Sequence, residues 1–152
     1  MRLILVQHGE AVDKAQDANR PLTERGRRDV DALSTALSQA EQLPREVLHS
    51  GKTRARQSAE ALSVGTAPKA RDGLGPTDPV AAFAGELAGR SEDLMLVGHQ
   101  PFLGKLASRL LAGDEEAVAV GFVPGTAVCL ERGEDGRWSL IWALRPDVLP
   151  TG

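Results

Sequence analysis

Two short apolar runs that each end in a histidine place the strongest limit on how this chain can fold. Leu3–Val6 is followed by Gln7-His8-Gly9, and Leu94–Val97 is followed by Gly98-His99. An unbroken apolar run of this kind is typical of a strand that is covered on both faces, as in a parallel sheet. Ligands of such sheets bind beyond the carboxyl ends of the strands, so we expect His8 and His99 to lie at one functional edge.

Amphipathic helices alternate with these strands along the chain. Thr23 is a good N-cap for a first helix, which we expect Pro44 to stop. Ser50 or Thr53 is predicted to cap a second helix, which follows a short strand. A loop rich in Gly, Pro and Ala over residues 64–78 leads to Asp78-Pro79, where a capping residue and a proline at the first helical position predict a third helix.

The tail of the chain is predicted to form a β-hairpin. Its strands are Thr126–Glu131 and Trp138–Leu144, with a turn near Asp135-Gly136. Trp138 and Trp142 are predicted to pack against the core rather than to bind a ligand. The whole pattern predicts one layered α/β/α domain over residues 1–152, with a mainly parallel central sheet.

The composition excludes several classes of protein. The formal net charge of −3 does not suit a nucleic-acid binder, which would carry a basic stripe. No apolar run approaches the length of about 18 residues that a membrane span needs. Cys129 is the single cysteine and cannot form an internal disulfide, so we expect a buried thiol in a cytoplasmic protein. The sequence carries no signal for an oligomeric state.

The residues that follow the predicted strands suit the binding of a tetrahedral anion. His8, the segment Ser50–Arg54 and His99 would meet at one edge of a parallel sheet. Guanidinium groups grip anionic oxygens with forked donors, and a helix start adds partial positive charge, so phosphate is the expected ligand. A neutral imidazole fixed at one nitrogen presents the other as a nucleophile, and Gly9 would let the backbone turn closely enough to hold His8.

Three other kinds of functional site fit the sequence less well than a phosphate site. Gly51-Lys52-Thr53 imitates the end of a nucleotide-binding loop, but Glu46 stands where that loop needs a glycine. The chain has no G-x-S-x-G elbow of a serine hydrolase. A metal site made of His8, His49 and His99 lacks the short helical spacing of zinc motifs, so we expect a site without metal or cofactor.

Four motifs in sequence order resemble those of the histidine phosphatase superfamily. They are Val6–Ala11, Pro21-Leu22-Thr23 with Gly26, Ser50 with Arg54–Ala59, and Val97–Pro101. Their order and spacing are most similar to those of its small bacterial branch, the SixA-like phosphohistidine phosphatases. The resemblance implies a phosphoglycerate-mutase-like fold in which His8 takes the phosphoryl group covalently, Arg54 binds its oxygens and His99 stabilises the transfer.

The chain departs from this family at Gln7. The family usually has arginine before the His-Gly pair, whereas glutamine offers only neutral donors. A hydrogen bond to a charged group contributes about 1.5–3 kcal/mol and a neutral one about 0.5–1.5, so binding of the transition state would weaken by about 1–2 kcal/mol. Our hypothesis is that Arg20, Lys52 or Arg56 faces the pocket and restores the charge. Gln7, Gly9, Arg20 and Arg54 are therefore the predicted phosphate-binding residues.

The sequence offers two carboxylates as proton donors to the leaving group. Asp78 lies in the loop where related enzymes place a carboxylate, although it also suits a helix cap, and Glu10 is the second choice. A phosphohistidine leaving group can also take its proton from solvent.

The expected substrate is phosphohistidine on a partner protein, because short loops leave little material for a lid. The alternatives are a phosphatase for a small metabolite and a phosphate-binding module that Gln7 has made weakly active or inactive.

Overall fold

The structure is a computed structural model that describes residues 1–150. Its elements follow one another along the chain as β1 (Arg2–Gln7), α1 (Glu24–Gln39), β2 (Glu46–His49), α2 (Thr53–Ala61), β3 (Lys69–Ala70), α3 (Ala81–Leu87), β4 (Leu94–Gly98), α4 (Phe102–Ala112), β5 (Ala127–Arg132) and β6 (Trp138–Leu144). A single 3₁₀ turn at Pro146–Val148 follows β6. Strands and helices therefore alternate up to α4, as predicted except for β3, and two strands complete the sheet.

The strands form one six-stranded sheet in the order β3-β2-β4-β1-β5-β6. The first four of these strands run parallel to one another, whereas β5 is antiparallel to β1 and β6 is antiparallel to β5. The predicted α/β fold is confirmed, and the prediction of a mainly parallel sheet holds for four strands. The hairpin adds two antiparallel strands beside β1, so the first strand is central in the sheet.

Two apolar cores cover the two faces of this sheet. Alternate residues of β1 divide between them: Leu3 and Leu5 join the core beneath α3 and α4, whereas Ile4 and Val6 join the core beneath α1 and α2. The same division runs through β4 and β5. Because both faces are covered, the strand sequences are continuously apolar rather than alternating.

The helix ends follow the sequence prediction only in part. Thr23 caps α1 as predicted, accepting a hydrogen bond at Oγ1 from the Gly26 amide at 2.9 Å. The helix ends at Gln39, well before Pro44. The predicted cap of α2 is wrong, because the N-cap is Lys52 and no side chain caps this helix. Ser50, one of the predicted caps, instead forms a hydrogen bond with His99.

The start of α3 also differs from the prediction. The helix begins at Ala81 with Val80 as its N-cap, so Asp78 and Pro79 precede it. The Asp78 carboxylate accepts a hydrogen bond from the Gly75 amide at 2.7 Å, which closes a turn on its N-terminal side. A short strand, β3, also lies in the segment that was predicted as loop.

The hairpin confirms the predictions for the tail. Cys129 is fully buried, and both tryptophans pack against the core. The pairing of β5 with β6 is interrupted next to Cys129, where the register shifts from Cys129↔Trp142 to Leu130↔Leu140. This bulge places Trp138 against one core and Trp142 against the other.

Candidate active site

The parallel pairing of β1 with β4 brings the two predicted histidines together. Gln7 pairs with Gly98, and the His8 amide donates to the Gly98 carbonyl at 3.1 Å. The His8 and His99 rings follow directly, with centroids 5.1 Å apart and planes tilted by 53°. The predicted proximity of the two imidazoles is confirmed, and both are buried.

His8 is held in one tautomer. Its Nδ1 lies 2.7 Å from the Gly9 carbonyl oxygen, which can only accept a hydrogen bond, so Nδ1 carries the proton. Its Nε2 accepts a hydrogen bond from Nε of Arg54 at 3.3 Å. Burial, together with the charges of Arg54 and Arg20, lowers the pKa of His8 to about 4. Near pH 7 this imidazole is neutral and directs a lone pair toward a guanidinium.

Gly9 is needed because the turn after β1 packs directly onto α1. A Cβ at this position would lie 2.7 Å from the Gly26 carbonyl oxygen and 2.8 Å from a methyl group of Val30. Those contacts are too short for any side chain. The glycine therefore lets the backbone approach α1 closely enough to aim its carbonyl at His8.

His99 has a serine as its partner. Its Nε2 lies 2.6 Å from Oγ of Ser50, and its Nδ1 is buried without a hydrogen-bond partner among residues 1–150. Burial lowers the pKa of His99 to about 3, and His8, Arg54, Lys52 and Arg20 add to the effect. Both imidazoles are therefore neutral near pH 7.

The cations that the sequence predicts near the pocket differ in which of the two histidines they affect. Arg54 lies in the first turn of α2, and burial and the neighbouring Arg20 lower the pKa of its guanidinium. Arg20 also lowers the pKa of both His8 and His99, so its charge lies close to them. Lys52 acts on His99, whereas Arg56 forms an ion pair with Glu60 at 3.1 Å. Of the three cations that could replace the missing arginine charge, Arg20 lowers the pKa of both His8 and His99.

Gln7 and His8 are neighbours in the sequence, but their side chains lie on opposite faces of the sheet. Alternation along β1 places Gln7 on the face that carries Leu3 and Leu5, whereas His8 contacts α2 on the other face. Its amide oxygen is buried and has no hydrogen-bond partner in the described part of the chain. Both backbone polar groups of Gln7 form hydrogen bonds: its amide donates to the Thr126 carbonyl, and its carbonyl accepts from the Gly125 amide.

The two candidate proton donors both have structural partners. Asp78 is exposed and bonded to the Gly75 amide, and no hydrogen bond joins it to either histidine within residues 1–150. Glu10 accepts a hydrogen bond from the Thr23 hydroxyl at 2.7 Å, next to the α1 cap. The structure thus brings together His8, His99, Arg54 and Arg20, but does not join either carboxylate to them.

The third histidine stands apart from this group. His49 ends β2, and its Nδ1 accepts a hydrogen bond from the Gly51 amide at 3.1 Å. Among residues 1–150, no group of three His, Cys, Asp or Glu side chains is arranged to hold a metal ion. The same residues contain no helix that is long and apolar enough to cross a membrane.

Comparison with known proteins assigns this chain to a family. A sequence model of the histidine phosphatase superfamily (branch 1) matches residues 3–75. An uncharacterized protein of Picosynechococcus sp. strain PCC 7002 is 36% identical over 124 residues, covering 75% of this chain and 75% of its own. The chain belongs to the histidine phosphatase superfamily. The enzyme is accordingly a phosphatase.

Solved structures share the fold of this phosphatase along almost its whole length. The protein histidine phosphatase SixA, solved with tungstate, has a TM-score of 0.84 at 23% identity and covers 97% of this chain and 98% of its own. A mycobacterial glucosyl-3-phosphoglycerate phosphatase, solved with VO3, has a TM-score of 0.70 at 20% identity, covering 93% and 98%. The fold that the SixA-like resemblance implied is thus confirmed.

The sequence predicts that Ser50 lies at the edge with the histidines and is a possible helix cap, but it does not reveal that Ser50 contacts His99. It gives no role to Ser58 of this phosphatase, which lies one helical turn after Arg54 and bonds the turn after β1. The spacing of four residues from Arg54 is the only sequence signal that could have pointed to Ser58.

The lowered pKa values predict how the phosphatase responds to acid. The ring Cε1–H resonances of His8 and His99 should stay constant between pH 8 and about pH 5. In urea the same resonances should titrate near the unperturbed pKa of about 6.5. The unfolded chain then binds protons that the native state does not, so the free energy of unfolding should fall as pH drops below about 6.5. Midpoints near 6.5 in the native protein would contradict this electrostatic environment.

Proposed function

We propose that the protein hydrolyses phosphohistidine on a partner protein through a phosphorylated His8. The observation that carries this proposal is the fixed, neutral His8, with its Nε2 lone pair facing Arg54 and its ring beside His99. A neutral imidazole of this kind is a nucleophile at pH 7 without prior deprotonation. The SixA-like fold supports a protein substrate.

The reaction would proceed in two displacements. The guanidinium of Arg54 turns its donors from His8 to the phosphoryl oxygens, which frees the Nε2 lone pair to attack phosphorus. A bond forms between Nε2 and phosphorus while the bond from phosphorus to the leaving nitrogen breaks, and that nitrogen takes a proton. Water then attacks phosphorus, phosphate leaves, and His8 returns to its neutral form.

Positive charge around the site supports phosphoryl transfer despite Gln7. Arg54 and Arg20 both act electrostatically on His8 and His99. When phosphate binds, its negative charge offsets these cations and raises the pKa of His99, which can then donate to a phosphoryl oxygen. Gln7 and Gly9 contribute the backbone that aligns His8, and Arg20 supplies the charge that the family usually places at position 7.

The proton for the leaving group has two candidate sources. Asp78 is exposed and belongs to the segment between β3 and α3, which runs beside the end of β4. In this segment the Leu74 carbonyl oxygen lies 3.8 Å from the point where a Cβ on Gly98 would be. A movement of this segment on substrate binding would let Asp78 reach the leaving group. A phosphohistidine leaving group can instead be protonated by solvent, which fits the structural partners that both Asp78 and Glu10 already have.

A second candidate function is the hydrolysis of a small phosphorylated metabolite. The shared fold with the glucosyl-3-phosphoglycerate phosphatase supports it, although that match has the lower TM-score. A third possibility is a module that binds phosphate without turnover, which Gln7 suggests. The three differ in what they do to a phosphohistidine-bearing protein.

The test compares a chemically phosphorylated histidine-containing phosphocarrier protein with an aryl phosphate and a sugar phosphate. We expect the highest kcat/KM with the phosphohistidine protein, and a rapid quench should trap a phosphate group that mass spectrometry locates on His8. A higher kcat/KM with the sugar phosphate would favour the metabolite. Phosphate binding without turnover of any substrate would favour the module, and label on another residue would overturn the mechanism.

Replacing Gln7 by arginine tests whether Arg20 supplies the missing charge. We expect Gln7→Arg to raise kcat/KM by about tenfold or less in the native background, and by more in an Arg20→Ala background. Arg28→Ala, which removes an exposed arginine paired with Glu24, is the control and should change kcat/KM less than twofold. A rise above about a hundredfold with Arg20 in place would rule out compensation.

A further inference from the structure

A buried serine lies between the two elements that carry the proposed nucleophile and its arginine. Ser58 is in the middle of α2 and is 0% exposed. Its Oγ accepts a hydrogen bond from the Gly9 amide at 3.0 Å and donates one to the Arg54 carbonyl at 2.8 Å. One hydroxyl thus joins the turn after β1 to the first turn of α2.

These contacts close a ring with the contacts of His8. The Gly9 residue that Ser58 binds also holds Nδ1 of His8 through its carbonyl at 2.7 Å. The Arg54 residue that Ser58 binds also donates from Nε to Nε2 of His8 at 3.3 Å. The imidazole is therefore held at both nitrogens, and Ser58 bonds to the backbone of both residues that hold it.

We propose that Ser58 is a positioning residue that fixes the tautomer of His8 and the distance from Nε2 to the guanidinium of Arg54. This inference rests on the proposed function, because it concerns the geometry of the same nucleophile. A small error in the position of a nucleophile lowers the rate steeply, and a misplacement of about 1 Å can cost about a hundredfold. Without the hydroxyl, the buried Gly9 amide loses its partner and the turn can rotate.

The chain contains a matched control for this serine. Ser108 in α4 is also 0% exposed, and its Oγ accepts from the Val118 amide at 2.9 Å and donates to the Asp114 carbonyl. Its two partners lie in the segment after α4, and no hydrogen bond joins them to either histidine within residues 1–150. Ser108→Ala therefore removes the same pair of hydrogen bonds from the same kind of position, away from the site.

The experiment measures Ser58→Ala, Ser58→Thr and Ser108→Ala by urea unfolding, by kcat and KM with an aryl phosphate, and by ¹⁵N shifts of the His8 ring. We expect both alanine variants to lose stability, but only Ser58→Ala to lower kcat by about 10- to 100-fold, with a smaller change in KM. Its His8 should show a mixture of Nδ1–H and Nε2–H tautomers. Ser58→Thr, which keeps the hydroxyl, should restore a single tautomer and most of kcat.

The proposal is overturned if Ser58→Ala keeps kcat within twofold and His8 stays in the Nδ1–H form, or if Ser108→Ala lowers kcat equally. Ser58→Cys keeps the size of the side chain but weakens both hydrogen bonds, so it decides the matter if Ser58→Ala does not fold. The ring shifts need no substrate. A wild-type protein without turnover would thus defeat the proposed function, while the tautomer of His8 would still test the role of Ser58.

Discussion

Replacing His8 by alanine is expected to lower kcat for an aryl phosphate by at least about 10⁴-fold, because it removes the proposed nucleophile. His8 and His99 both have neutral rings, but His8 also has a fixed Nδ1–H and an Nε2 that accepts a hydrogen bond from the Arg54 guanidinium. Folding should be retained, since the removed ring leaves the Gly9 backbone bonded to Ser58. The expected loss is thus one of chemistry.

His49→Ala is the matched control for this prediction. Like His8, His49 lies at the carboxyl end of a parallel strand and is buried. Nδ1 of each ring forms a hydrogen bond with the backbone, that of His49 with the Gly51 amide. We expect its kcat to stay within about threefold of wild type, because His49 contacts neither His8 nor Arg54 through a hydrogen bond in the described residues. Equal losses in the two variants would mean that His8 supports the fold and is not the nucleophile.

The second large effect is expected at Arg54. Arg54→Ala should lower kcat/KM by about 10³-fold, because forked guanidinium donors stabilise the charge that spreads over the phosphoryl oxygens during transfer. Arg54→Lys keeps the charge but not the fork, so we expect it to recover only part of this loss. Both values are measured from initial rates at low substrate concentration, with unfolding curves to confirm that α2 is intact.

Arg56→Ala provides the control on the same helix. Arg56 is two residues further along, is partly exposed and pairs with Glu60, so its removal should change kcat/KM less than threefold. If Arg56→Ala were as damaging as Arg54→Ala, the helix as a whole rather than one guanidinium would bind the phosphoryl group. A loss below tenfold for Arg54→Ala would exclude its proposed role.

The position of the two histidines could be predicted from the sequence because it depends on few assumptions. A short apolar run fixes a buried strand, parallel pairing brings the carboxyl ends to one edge, and a residue just after each strand must then lie there. The observed pairing of Gln7 with Gly98 meets each of these conditions. The proximity of His8 and His99 follows from topology alone and needs no knowledge of side-chain conformation.

The partners of the small polar side chains could not be predicted in the same way. Ser50 and Asp78 both suit helix caps, but each has another partner: His99, which only the folded chain brings near Ser50, and the Gly75 amide, three residues before Asp78. Serine and aspartate form hydrogen bonds with whatever donor or acceptor is close, so their local preference is weak. For the same reason, the link from Ser58 to Gly9 crosses 49 positions of sequence and leaves no pattern.

The hairpin bulge has a consequence for how the molecule behaves at high concentration. β6 is an outer strand of the sheet, and Leu140 and Ile141 beside the bulge are 46% and 41% exposed. A straight outer strand with exposed apolar side chains would be a template for pairing with the same strand of another molecule. A bulge bends and twists the strand locally, so unpaired amides and carbonyls no longer form a regular row. The irregular pairing that packs the two tryptophans against opposite cores therefore also disfavours self-association through the outer edge of the sheet.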